Sequence, residues 1–238
     1  VVVWQVAAIV LNDPVILPSP TQVLAALQAS WLTILTKDLL TSLIHFAMGM
    51  TAALLIALPI GMIMGWFRLA DELLDPITEV IRPIPPLAWI PFAIIWFGLT
   101  NSAAAFIIFM GAVFPVLINT YVGFRSLPKV YVESAKVLGA IKDLDLMRYI
   151  AFPFALPSIA GGIRIGMGIA WMCLVAAEMF GVSTSGLGYQ IWYNYSLHKM
   201  NYVLLYMIVL GLLGLLIDRS FRYIVEDRML RWRVGLTQ

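Results

Sequence analysis

From residue 83 to residue 124 the chain carries no charged side chain. At about 1.5 Å per residue, one helix of that length would reach about 60 Å, twice the hydrocarbon thickness of a bilayer. The run therefore holds two membrane spans, with Gly98-Leu99-Thr100-Asn101 as the tight turn between them. A second uncharged run covers residues 39–67 and suffices for one more span, since about 20 apolar residues cross a bilayer. Only 12% of the 238 residues are charged, where a soluble domain carries about a quarter. With a mean hydropathy of +0.93, the class is an all-α integral membrane protein, one helical domain over residues 1–238. No room is left for a separate soluble enzyme domain. The single Cys173 excludes an internal disulfide framework and a multi-cysteine metal cluster. In its apolar run it reads as a packed small residue rather than a reactive thiol.

The spans expected from these runs cover approximately residues 1–11, 39–66, 83–98, 102–124, 158–180 and 200–217. The first opens directly on VVVWQVAAIVL with no basic segment before it, so it reads as the tail of a span and not as a signal peptide. Ser19-Pro20-Thr21 starts a short amphipathic piece with Val23, Leu24, Leu27 and Trp31 at helical spacing, expected to lie along the membrane surface. Within 39–67, Gly49, Ala53, Ala57, Gly61 and Gly65 recur every fourth residue, a stripe that lets a neighbouring backbone approach. His45 near its start reads as a hydrogen-bonded structural histidine. Arg68, Asp71, Glu72, Asp75, Glu79 and Arg82 form a charged connection. Pro83, Pro85, Pro86 and Pro91 then prevent a clean helix at the next span's start. Broken backbone there either lines a cavity or forms an entry turn in the interface.

Thirteen of the 15 Lys and Arg residues fall on one side of these spans, leaving only Lys37 and Lys199 on the other. The positive-inside rule puts the basic loops and the C-terminal tail in the cytoplasm. The densest of those loops, residues 125–157, contains Glu133, Lys136, Lys142, Asp143, Asp145 and Arg148. A solvated helix wedged between spans, ended by Pro153 and Pro157, should serve as a handle for something outside the membrane. Ala135 and Gly139, four apart, would give that helix a flat face.

Glu133-Ser134-Ala135, then Gly139, then Pro153 resembles the EAA loop of permease subunits in bacterial and archaeal ABC importers. Ser134 stands where the pattern has Ala, and the Gly-to-Pro spacing is one residue longer than usual. The resemblance runs over nearly the whole chain and narrows to the nitrate/sulfonate/taurine branch. It is carried by LPSPTQV, DPITEVIRPIPPLAWIPFAIIWFG, FPVLINTYVGFRS and GGIRIGMGIAWMCLVAAEMFG. It implies a type I importer fold of about six helices, with Glu133, Ser134, Ala135, Lys136 and Gly139 coupling to two cytoplasmic ATPase subunits. ATP and Mg would sit on those partners, and this chain would hold no cofactor and no metal. A second permease subunit, making a homodimer, an extracytoplasmic solute-binding protein and the lipid bilayer complete the expected partners. Nucleic acid is not among them, and the location is the prokaryotic cell membrane.

The same resemblance implies a small oxyanion or organic acid as cargo: nitrate, a sulfonate such as taurine, or bicarbonate. Candidate path residues are Asn119, Thr120, Tyr121, Trp96 and Trp171. Arg164 is a further candidate, with interfacial anchoring as its plainer reading. Glu178 would repel an anion, so gating or helix-end anchoring suits it better. A stand-alone secondary transporter is the alternative, but it calls for internal repeats and several paired acids at mid-span. An enzyme would need a polar constellation inside the spans, and no H-E-x-x-H or G-x-x-x-x-G-K-[ST] occurs.

Overall fold

The computed structural model describes residues 2–229, so the tail residues Arg231 and Arg233 lie outside the described residues. Every element among the described residues is helical. Short apolar α1 (Val2–Leu11) leads to α2 (Pro20–Thr33), which opens on a capping box. The Ser19 side chain accepts the Gln22 N–H while the Gln22 side chain accepts the Ser19 N–H. A π-turn at Ile34–Asp38 passes into α3 (Leu39–Trp66). Next come α4 (Arg68–Ile81), a 3₁₀ turn at Pro86–Trp89, α5 (Ile90–Phe97) and α6 (Asn101–Arg125). The rest is α7 (Lys129–Val137), α8 (Asp143–Leu146), α9 (Phe152–Met179), α10 (Leu187–Ser196) and α11 (Met200–Phe221).

Four continuous helical stretches are long and apolar enough to cross a membrane: Thr36–Trp66, Asn101–Arg125, Asp143–Met179 and Met200–Val225. A fifth is obtained if Arg68–Ile81 and Pro86–Phe97, bent by 85°, count as one broken span. The break falls at Pro83, Pro85 and Pro86, none of which can donate to a helical ladder. Large apolar side chains stand exposed along α11 and α5, the arrangement expected of surfaces that face lipid rather than water.

The chain divides into two compact units. The first contains the described residues of Val1–Gly49 with Leu87–Ile108 and Trp171–Ile217. One of its cores joins Val23, Ala26 and Ile34 to Leu187, Ile191, Leu205 and Tyr206; another joins Ala93, Ala103, Ala104 and Ile107 to Cys173, Ala177 and Val182. The second unit contains Met50–Pro86, Phe109–Ala170 and the described residues of Asp218–Gln238. Its core packs Phe124 on Ala151, Ala155 and Ile159. There the small-residue stripe of α3 meets α6: a Cβ on Gly61 would stand 2.7 Å from the Leu117 carbonyl, and one on Gly65 2.9 Å from that of Tyr121. In the first unit, Gly49 meets Ala105 and Ile108 in the same way.

Three local readings change. The charged connection at 68–82 is itself largely a helix, because Leu69, Leu73, Ile77 and Val80 give it one apolar face. On α2 the inward face is Val23 with the small Ala26, while Leu24, Leu27 and Trp31 are exposed. Pro153 and Pro157 do not end the cytoplasmic-loop helix but lie in α9. A π-turn at Met147–Ala151 precedes them, and its i→i+5 bonding, Phe152 N–H to Met147 C=O, shifts the ladder just ahead of Pro153.

Candidate functional site

Helix α7 begins after Pro128 in extended conformation and ends in a Schellman motif. The Ala140 N–H reaches the Ala135 carbonyl at 3.0 Å and the Gly139 N–H reaches Lys136 at 3.0 Å. Gly139 is the left-handed residue of that motif, at φ +99°. It therefore stands past the helix end and not on a face shared with Ala135. Ala135 is buried, with α7 packed against the Met147–Ala151 segment, whereas Glu133, Ser134, Lys136 and Gly139 are exposed.

What the turn does present is apolar. Val137 is 88% exposed, Leu138 87%, Ile141 81% and Leu144 74%, flanking Gly139 on both sides. Four aliphatic side chains clustered in sequence around a tight turn, within a loop rich in Lys and Arg, form a surface that water does not stabilise. Beside it, Glu133 and Lys136 line a groove of ≈ 320 Å³ with Gly65, Trp66, Phe124 and Arg125.

In the first unit, Glu178 and His45 are fully buried and bonded to one another, His45 Nδ1 lying 2.9 Å from Glu178 Oε1. The His45 Nε2 lies 3.0 Å from Asn101 Oδ1. Ser42 Oγ donates to the carboxylate at 2.8 Å and accepts the Leu187 N–H at 2.9 Å, and the Gly188 N–H donates to Glu178 Oε2 at 2.8 Å. The carboxylate thus caps the N-terminus of α10, where free N–H groups and the helix dipole favour a negative charge. Gly186, at φ +123°, is so close that a Cβ there would collide with the Glu178 carboxylate. A second buried acid, Asp38, accepts from Tyr206 Oη at 2.8 Å and Gln190 Nε2 at 3.2 Å.

The remaining candidates have separate surroundings. Thr120 is buried, donates to the Val116 carbonyl at 2.7 Å and packs where Gly61 leaves space. Tyr121 lies under the Arg125 guanidinium, which is itself paired to Asp71 at 2.7 Å. Arg164 grips Asp218 with two bonds, 2.9 and 3.1 Å. Asn119 lines a cleft of ≈ 370 Å³ in the second unit, with Met110, Phe114, Pro115 and Ile118. In the first unit Trp96 sits among Trp89, Phe92 and Phe106, while Trp171 meets Phe46 edge-on at 5.4 Å.

Residues 57–230 match the model of the family described as binding-protein-dependent transport system inner membrane component. The chain belongs to this family. A putative ABC transporter permease protein of Methanocaldococcus jannaschii is 44% identical over 238 residues, covering 98% of this chain and 88% of that protein. The bicarbonate transport system permease protein CmpB of Synechococcus elongatus is 38% identical over 180 residues, 76% of this chain and 64% of that protein. The taurine transport system permease protein TauC of Escherichia coli is 33% identical over 235 residues, 96% of this chain and 84% of that protein. The chain is a multi-pass membrane permease subunit of the ABC importer class, and its family is one of transport proteins, not enzymes.

For this permease, sequence reasoning singled out His45 and Glu178 separately, placed Asn101 only in a tight turn, and missed Ser42 and Asp38. Asp38 directly precedes the uncharged run, where a charge carries no sign of burial. Asp218, the partner of Arg164, stood in the basic end of the last span with nothing to mark it.

Proposed function

We propose that this permease subunit pairs with a second copy of itself to form the path of an ATP-driven importer for a small oxyanion or organic acid. Two cytoplasmic ATPase subunits, carrying the ATP and Mg, grip residues 125–157, and an extracytoplasmic binding protein delivers the cargo. The basic loops and the tail face the cytoplasm. The single observation that carries the coupling is the exposed apolar turn Val137, Leu138, Ile141 and Leu144 around Gly139. An aliphatic knuckle of this kind gains stability by entering a groove on a partner, and Glu133 and Lys136 beside it supply charges that set its register. The cargo class is supported by the names of the relatives, which transport bicarbonate and taurine.

For coupling to work, ATP-driven closure of the partners must favour one arrangement of the attached helices over another, since only a differential interaction shifts a population. The short α8, the π-turn and α9 run continuously from Asp143 to Met179, so a push at the turn acts at the start of a long helix. The test is uptake into proteoliposomes holding the permease, its ATPase and its binding protein, with radiolabelled bicarbonate, nitrate and taurine offered in turn. ATP-dependent accumulation of one of them is expected. Uptake that proceeds without ATP hydrolysis, or accumulation of none of the three, overturns the reading.

A further inference from the structure

The second unit's cleft of ≈ 370 Å³ is walled by apolar side chains, Met110, Phe114 and Ile118 of α6 with Ile165 and Ile169 of α9. Its volume falls within the range of small-molecule sites, about 300–1,000 Å³. Among the described residues that line it there is one charge, Arg82, and no carboxylate. Arg82 closes α4 and donates its backbone N–H to Thr78. Arg68, Arg125 and Arg164 each hold an acidic partner, whereas Arg82 has none among the described residues. Three of the four residues after it are prolines with no N–H, so the backbone of this wall has few donors to offer.

Asn119 supplies a second donor and is held firmly. One amide hydrogen goes to the Pro115 carbonyl at 2.8 Å, and its own backbone carbonyl accepts from Ser158 Oγ at 2.7 Å. Gly162 leaves the space that the Asn119 side chain occupies. A guanidinium matches the planar edge of an oxyanion, and Arg82, exposed at the cleft, can also draw anions toward it.

We propose that this cleft is an anion-contact site belonging to the permease itself, with Arg82 as its charged ligand and the Asn119 amide as a second donor. The ligand is a small oxyanion, a carboxylate, carbonate or sulfonate. The proposal rests on the cargo class given above and adds where that cargo is held within this chain. Recognition here is by charge and size, so a bulky or cationic solute is rejected.

Cysteine labelling tests it without knowledge of the cargo. Ile118→Cys and, as a second reporter, Ile169→Cys are each placed in a Cys173→Ser background of the assembled transporter in proteoliposomes. Each is reacted with an anionic ethylsulfonate and a cationic trimethylammonium methanethiosulfonate. The anionic reagent should react faster, Arg82→Gln should lower the anionic-to-cationic rate ratio about tenfold, and Arg82→Lys should retain most of it. A ratio indifferent to Arg82→Gln, or reporters that react with neither reagent, overturns the site. Uptake of labelled bicarbonate, nitrate and taurine is measured alongside. If the ratio follows Arg82 but none is accumulated, the cargo class fails and the site stands; if uptake proceeds and the ratio ignores Arg82, the reverse holds.

Discussion

The carboxylate of Glu178 gathers Ser42 and His45 from α3 and the Gly188 N–H from α10. Glu178→Ala would strand those donors in a fully buried place, at a cost of about 3–5 kcal/mol. Thermal unfolding of the purified permease in detergent should show a drop of many degrees, and a midpoint equal to that of the unsubstituted protein would refute the lock. Gly186→Ala should behave alike, since its Cβ meets the same carboxylate and its φ of +123° suits only glycine. The sequence marks Glu178 and His45 as unusual because each is polar in an apolar run. Their pairing was not legible, because the two are 133 residues apart and meet only through helix packing. Arg82 was hidden for the opposite reason: it sits in a visibly charged connection, and only the fold turns it toward a cleft.

Among the elements, α3 was the most legible, because small residues every fourth position are a local pattern with one structural meaning. Gly61→Leu would drive a side chain into the Leu117 carbonyl and Thr120, neither a flexible chain end, and should destabilise the protein by about 1–3 kcal/mol. Detergent unfolding checks it; a loss no larger than that from an exposed-site control would contradict the contact. Helix α7 was legible as a solvated helix, but its end was not, since the four-residue spacing of Ala135 and Gly139 looks the same whether Gly139 continues the helix or stops it. In its left-handed place Gly139 has open space around its Cα, so Gly139→Val strains the backbone by about 1–2 kcal/mol without a clash. Membrane insertion should survive that change while uptake falls sharply; wild-type uptake would show that the turn's shape is irrelevant. The prolines of α9 misled because the shift of bonding in the π-turn ahead of them has no signature in residue type.

For the molecule as a whole, membrane class and family follow from features spread over the entire chain, which is why both were legible in the sequence. The proposed orientation rests on the one-sided distribution of Lys and Arg, and Lys142→Cys should be modified by a membrane-impermeant reagent from the cytoplasmic side only. Modification from the outside would invert the topology. Coupling is a property of the assembly, and the proposed role rests on the exposed aliphatic turn at Val137–Leu138 and Ile141 being seated in an ATPase subunit. A photo-reactive amino acid placed at Leu138 in the assembled, transporting complex reads that contact. Illumination is predicted to join the permease to its ATPase in high yield, and with Leu138 free of any such adduct in a complex that still imports its cargo, the coupling role of this turn would be contradicted.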